Sequence, residues 1–128
     1  MSYITRTGNL TEAPTLRNGD NGPYTYARVA VSDRIRQGDG SYIDGPTVFY
    51  NVSVAGNRAT NLVEAAQRSG NIRIMFSGRY RVTEFRGEQG TRIRHEVHAD
   101  EVGVSLRGQS VAVRPAGGRA DEREGGDD

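Results

Sequence analysis

The chain has 128 residues, with 17 arginines and no lysine against 16 acidic side chains, 17 glycines and no cysteine. That length makes one domain able to bury roughly two-thirds of its unfolded surface, and the missing cysteine excludes a disulfide framework, a thiolate nucleophile and a cysteine-ligated zinc. No amino-terminal apolar run reads as a signal or membrane span, so a cytoplasmic setting is expected, and the glycine content favours strands and turns.

Residues 3–10 read as a strand anchored by Ile4, with Gly8 marking a bulge or a close approach. Pro14 and the run from Asn18 to Pro23 are turn punctuation. Residues 24–32 form a second strand, with Ala27, Val29 and Val31 inward and Tyr26, Arg28 and Ala30 outward. The two strands are expected to make a hairpin. Residues 33–46 read as a long loop carrying Gly38, Gly40 and Gly45. Those glycines lack the dinucleotide-binding spacing and precede a strand, which excludes a phosphate cradle. Arg34, Arg36 and Tyr42 make the loop a basic and aromatic arm, long enough to be functional.

From Thr47 to Ala55 the alternation is strict. Val48, Tyr50, Val52 and Val54 form a core face, and Phe49, Asn51, Ser53 and Ala55 point the other way. The second set carries no charge and one large aromatic, a floor on which a flat partner could lie. Taken alone, the stretch is read more simply as a strand covered by a loop, with Phe49 a satellite core residue. The helix comes next, at about 58–68, with Asn57 as N-cap. Ala59, Leu62, Val63 and Ala66 share one face, and Gly70 supplies the stop. Such a helix should close the end of a barrel.

Ile72, Ile74 and Phe76 alternate into a fourth strand, Gly78 permits a bend, and residues 79–85 continue as an arm. Gly87 to Gly90 turns the chain, and residues 91–106 return as one or two strands anchored by Val97, Ala99 and Val102. Charged arms meeting at a glycine turn make a protruding hairpin. From Gly108 the pattern dissolves into glycine, arginine and acids, so residues 1–107 are expected to be the domain and 108–128 a disordered tail. Five strands with one helix between the third and fourth point to an all-β architecture, the five-stranded Greek-key barrel called the OB-fold, whose open face and loops bind oligonucleotides or oligosaccharides.

Catalytic and metal chemistry find few parts. His95 and His98 are three apart on a strand and point to opposite faces, unlike the helical pair of a zinc protease. Asp100 and Glu101 diverge for the same reason, and no serine or threonine has a histidine–acid setting. No enzyme activity, metal or cofactor is expected. The positive constellation is Phe49 on the open face, Tyr42 before it and Phe85 at the hairpin tip, with Arg28, Arg34, Arg73, Arg79, Arg81, Arg86, Arg92 and Arg94 around them and Asn51 beside Phe49. Stacking platforms along an electrostatic groove are what a sequence-tolerant single-strand binder needs, and arginine suits both phosphate and ring contacts. Exposed tyrosines and arginines are also common on strand proteins, so composition alone leaves this open.

In order and spacing, the chain resembles the bacterial single-stranded DNA-binding protein family over about residues 3–107, and its actinobacterial branch in particular. The segments that carry the likeness are Gly8-Asn9-Leu10-Thr11 with Pro14 and Leu16-Arg17, Val29-Ala30-Val31-Ser32, 47–54, the helix to Gly70, Gly78-Arg79-Tyr80-Arg81, and Asp100-Glu101-Val102-Gly103 with Ser105-Leu106-Arg107. The resemblance implies an OB-fold homotetramer, cytoplasmic and nucleoid-associated, that coats single-stranded DNA during replication, repair and recombination. By position it implies that Phe49 and Phe85 stack on bases, that Tyr42 is the loop aromatic, that Arg34, Arg79 and Arg81 meet the DNA backbone, and that the first strand is an edge for subunit pairing. Three departures stand out. Ala55 replaces a frequent aromatic, Asn51 a commonly basic residue, and the tail ends in Asp127-Asp128 without the apolar tip that recruits other proteins. They imply reduced tail-mediated recruitment, and they keep open an OB-fold assembly module with weakened DNA binding.

Overall fold

The structure, a computed structural model, describes residues 2–116. Of the tail expected over 108–128, residues 117–128 lie outside the described residues. The elements are β1 (Ser2–Leu10), β2 (Arg17–Gly19), β3 (Gly22–Arg36), β4 (Tyr42–Ala55), α1 (Asn57–Ser69), β5 (Arg73–Gly87) and β6 (Gly90–Val104).

The sheet runs β1-β5-β6-β4-β3-β2, and β1 also pairs with β3 at Asn9↔Ala30 and Leu10↔Val29. That last pairing closes β1, β5, β6, β4 and β3 into a barrel, consistent with the expected OB-fold. Closure needs close backbone approach. A side chain at Gly8 would put its Cβ 2.3 Å from the Ala30 carbonyl oxygen, and one at Gly78 would come 2.0 Å from that of His98. Gly78 thus marks a bulge, where the β5–β6 register shifts after Ser77, rather than a bend between two strands.

The alternation read from the sequence becomes the core. Leu10, Val29, Val52, Val54, Ile74, Phe76 and Val97 are buried inside the barrel, each side chain contributing about 1.5–3 kcal/mol. Helix α1 packs on β3, β4 and β6, burying Ala59, Leu62, Val63 and Ala66. Among the described residues no helix is long and apolar enough to cross a membrane.

Four expectations need correction. The first two long strands are not a simple hairpin, because β1 spends eight register pairs on β5 and two on β3. Residues 33–46 are not a loop. β3 and β4 pair onward through Arg34↔Asp44, Ile35↔Ile43 and Arg36↔Tyr42, and the turn closes when the Gln37 N–H donates to the Ser41 carbonyl at 2.7 Å. Ile35 opposite Ile43 is a favourable cross-strand pair, which outweighs the glycines. Asn57 is the first helical residue rather than the cap. Gly56, at φ 76°, holds the N-cap without a side-chain hydrogen bond, a backbone conformation that suits glycine. A short β2 adds a sixth strand to the expected five, while the one or two strands expected over 91–106 are the one strand β6.

Beyond Arg107 the chain stays on the domain as far as it is described. The Gln109 side-chain amide donates to the carbonyls of Arg73 and Ser105 and its oxygen accepts from the Arg73 N–H, while Arg114 pairs with Glu64 of α1.

Candidate nucleic-acid interface

The site arises where two arms part. β4 and β6 run parallel and pair only from Tyr50↔His95 to Ser53↔His98. Upstream of these pairs each strand continues into its own hairpin, β4 with β3 and β6 with β5. The space between is a groove of about 910 Å³, with Phe49 on one wall and Phe85 on the other. Each aromatic is presented by strand alternation, opposite the inward side chains of its own strand. They stay 42% and 48% exposed, so neither is a core residue.

The electrostatics of the groove are one-sided. Arg28, Arg92 and Arg94 line it together with Asn51, and Glu96 is the acid in its wall. Arg81 already neutralises Glu96, its Nε donating to Oε1 at 3.3 Å. Among the described residues Arg28, Arg92 and Arg94 make no ion pair. Two of them rest on the aromatics instead. The Arg28 guanidinium carbon lies 4.3 Å from the Phe49 ring centroid and that of Arg94 lies 4.5 Å from the Phe85 centroid. At an exposed site such a contact contributes about 0.5–1 kcal/mol, so it holds neither ring firmly.

The floor behind the groove is stiffer. Tyr80 Oη and His95 Nδ1 share a 2.7 Å hydrogen bond, their rings stack at 6.0 Å, and Tyr50 packs against both. Burial pushes the Tyr80 hydroxyl above the ordinary phenol range, the neighbouring Tyr50 adds to this and Arg6 opposes it. The hydroxyl therefore stays protonated at neutral pH.

The structure divides the sequence-predicted residues into three sets. Phe49, Phe85, Arg28, Asn51, Arg92 and Arg94 share the main groove. Tyr42, Arg34 and Arg73 line a second, smaller one of about 470 Å³, with Arg6, Asp33 and Arg107. There Arg34 stacks on Tyr42 at 4.7 Å and Arg6 pairs with Asp33 at 2.6 Å. Arg79, Arg81 and Arg86 line neither. Residues directly opposed in an antiparallel pair share a face. Arg79↔His98 and Arg81↔Glu96 therefore continue the face of Phe85↔Arg92, while Arg86↔Thr91 lies on the opposite one.

Sequence reasoning missed Tyr26, which lines the main groove and is 59% exposed. The signal was available, since Tyr26 shares the outward face of its strand with Arg28. His95 was set aside as a metal ligand, and it enters instead as a groove-lining ring. Among the described residues no cluster of three or more histidine or acidic side chains could hold a metal.

Comparison with known proteins gives a consistent picture. The model of the family described as "Single-strand binding protein family" matches residues 1–105. The chain is 32% identical over 122 residues to "Single-stranded DNA-binding protein 2" of Streptomyces coelicolor, covering 92% of this chain and 60% of that protein's length. Among solved structures it is similar to that of the small single-stranded DNA-binding protein from Streptomyces coelicolor. The TM-score is 0.71 at 26% identity, over 83% of this chain and 95% of that one.

Proposed function

This chain belongs to the single-strand binding protein family, and on that premise we propose that it binds single-stranded DNA without sequence preference in the groove between the β3–β4 and β5–β6 hairpins. One observation carries the reading. Two half-exposed aromatics, Phe49 and Phe85, face one groove whose free charges are three arginines. Every base offers a flat face to stack on and every nucleotide a phosphate, so this pairing of groups tolerates any sequence. Bases take the Phe49 and Phe85 rings, displacing Arg28 and Arg94 or stacking on the ring faces they leave open. The arginines then meet phosphates.

The distal part of the β5–β6 hairpin, from Arg81 to Arg94, acts in this reading as an arm folded over the strand. Tyr42, Arg34 and Arg73 in the second groove, and Arg79 and Arg81 along the outer face, extend the electrostatic track. Arg86 contributes charge alone. The family supports a homotetramer paired through β1, working in replication, repair and recombination in the cytoplasm at the nucleoid. It also supports a binding protein rather than an enzyme, without cofactor or metal. The chain spans 60% of the length of the curated relative that it matches.

The test is a fluorescence-anisotropy titration of labelled poly-dT and a matching duplex at two salt concentrations. Tight single-strand binding with a far weaker duplex supports the proposal. Weak binding to both that vanishes with salt contradicts it and favours the assembly module, for which Ala55 and Asn51 are the motive.

A further inference from the structure

Tyr26 has no structural task that demands a large exposed ring in the groove. Its strand is fixed from within by Thr25, which is fully buried and whose hydroxyl donates to the Thr15 carbonyl at 2.7 Å. Its partner across β4 is the small Ser53, whose hydroxyl is engaged with His98 Nδ1 at 2.9 Å. Its aromatic neighbour is Tyr24, in a T-shaped contact at 5.7 Å and 78°. Such a contact covers at most one face of a ring, so at least one face of Tyr26 stays open to a flat group. Tyr24 is itself held by β2, opposite Arg17.

The register places this ring in line with the others. Phe49 opposes Ala30, Asn51 opposes Arg28 and Ser53 opposes Tyr26. Tyr26 thus lies four residues along β3 from the position opposite Phe49, about 13 Å at the rise of a strand. Arg28 stands between them with its guanidinium over Phe49. The outward face therefore reads aromatic, arginine, aromatic, and all three groups line the same groove.

We infer that Tyr26 is a third base-stacking platform, which takes a base of the same bound strand beyond the one on Phe49 and carries the DNA across the β3 side of the barrel. The inference rests on the proposed single-strand binding and goes beyond it, because it assigns a residue, a direction and a length to the bound strand. At roughly 3.4 Å per stacked nucleotide, and more for an extended one, 13 Å adds about two to four nucleotides to the site.

The chain has no tryptophan, so Tyr26→Trp places a single emitter at the position in question. With the full chain and a series of dT oligonucleotides, tryptophan emission should be quenched in step with binding measured by anisotropy. Tyr26→Ala should bind long dT about 5- to 150-fold more weakly, and the length at which affinity stops rising should shorten by about two to four nucleotides. Tyr26→Phe should restore both, which a lost hydroxyl contact would not allow. If Tyr26→Ala binds dT as the unchanged protein does, while Phe49→Ala is weakened, the inference is overturned and the groove reading stands. Unquenched emission at saturating dT overturns it equally. If the unchanged protein does not bind dT, the groove reading fails first and takes this inference with it.

Discussion

Replacing Phe49 with alanine separates a binding platform from a core residue. Its ring is 42% exposed, so it keeps little more than half of the roughly 1.5–3 kcal/mol that a fully buried phenylalanine contributes. Losing that, with the Arg28 contact at 4.3 Å, should cost about 1.5–2.5 kcal/mol of stability. Phe76, at 0% exposure, should cost about 3–5 kcal/mol when truncated the same way. Binding runs in the opposite order. A stacked base is worth about 1–3 kcal/mol, so Phe49→Ala should weaken dT binding about 5- to 150-fold, whereas Phe76→Ala should bind normally under conditions where it remains folded. Thermal melts and anisotropy titrations on the two variants measure both quantities. A Phe49→Ala protein that melts like Phe76→Ala and binds like the parent would make Phe49 a core residue and rule out a stacking role for it.

Arg92 and Arg94, unpaired among the described residues, should each account for one released counterion. Alanine at either should flatten the slope of log K against log salt by about 0.7, as read from titrations at four salt concentrations. Alanine at Arg81, already paired with Glu96, should change it less. Gly78→Ala should unseat the β5–β6 pairing, because its Cβ would fall 2.0 Å from the His98 carbonyl oxygen. Loss of the cooperative melt checks this. Tyr80 has a folded-state pKa raised above the ordinary phenol value, so its contribution is intact below about pH 10 and is lost as pH rises through the folded value. Denaturant titrations from neutral to alkaline pH should show that loss, and Tyr80→Phe should remove its share of the slope. Residues 117–128 carry five acids against two arginines. If they compete with DNA for the groove, truncation after Ala116 should raise dT affinity at low salt and leave it unchanged at high salt.

Much of the barrel was legible because its strands are buried on one face, so period two in Val48 to Val54 and Ile72 to Phe76 reports the core directly. The helix was legible for the same reason at period 3.6. What could not be read was pairing. Nothing local in residues 3–10 says that β1 crosses to β5, and only the close approaches at Gly8 and Gly78 hint at where backbones meet. The β3–β4 extension was missed because glycine and charge in 33–46 resemble a loop, while the decisive term, Ile35 against Ile43, exists only once the register is set. The site shows the same limit. Face alternation identified Phe49 and Arg28, and the hairpin turn identified Phe85. Which arginines share a groove depends on where β4 and β6 stop pairing. Tyr42 and Arg34 consequently fall into the second groove, and Tyr26 into the first.

The proposed function places the DNA between Phe49 and Phe85, and photocrosslinking can locate it. A dT oligonucleotide carrying 5-iododeoxyuridine would be bound, irradiated and digested at arginine, and the adducts placed by tandem mass spectrometry. Cleavage after Arg36, Arg58, Arg81 and Arg86 puts the two phenylalanines in separate peptides, residues 37–58 and 82–86. The structure predicts adducts at Phe49 and at Phe85. Adducts confined to Tyr42 and the second groove, or to β1 and the outer face of β5, would contradict it.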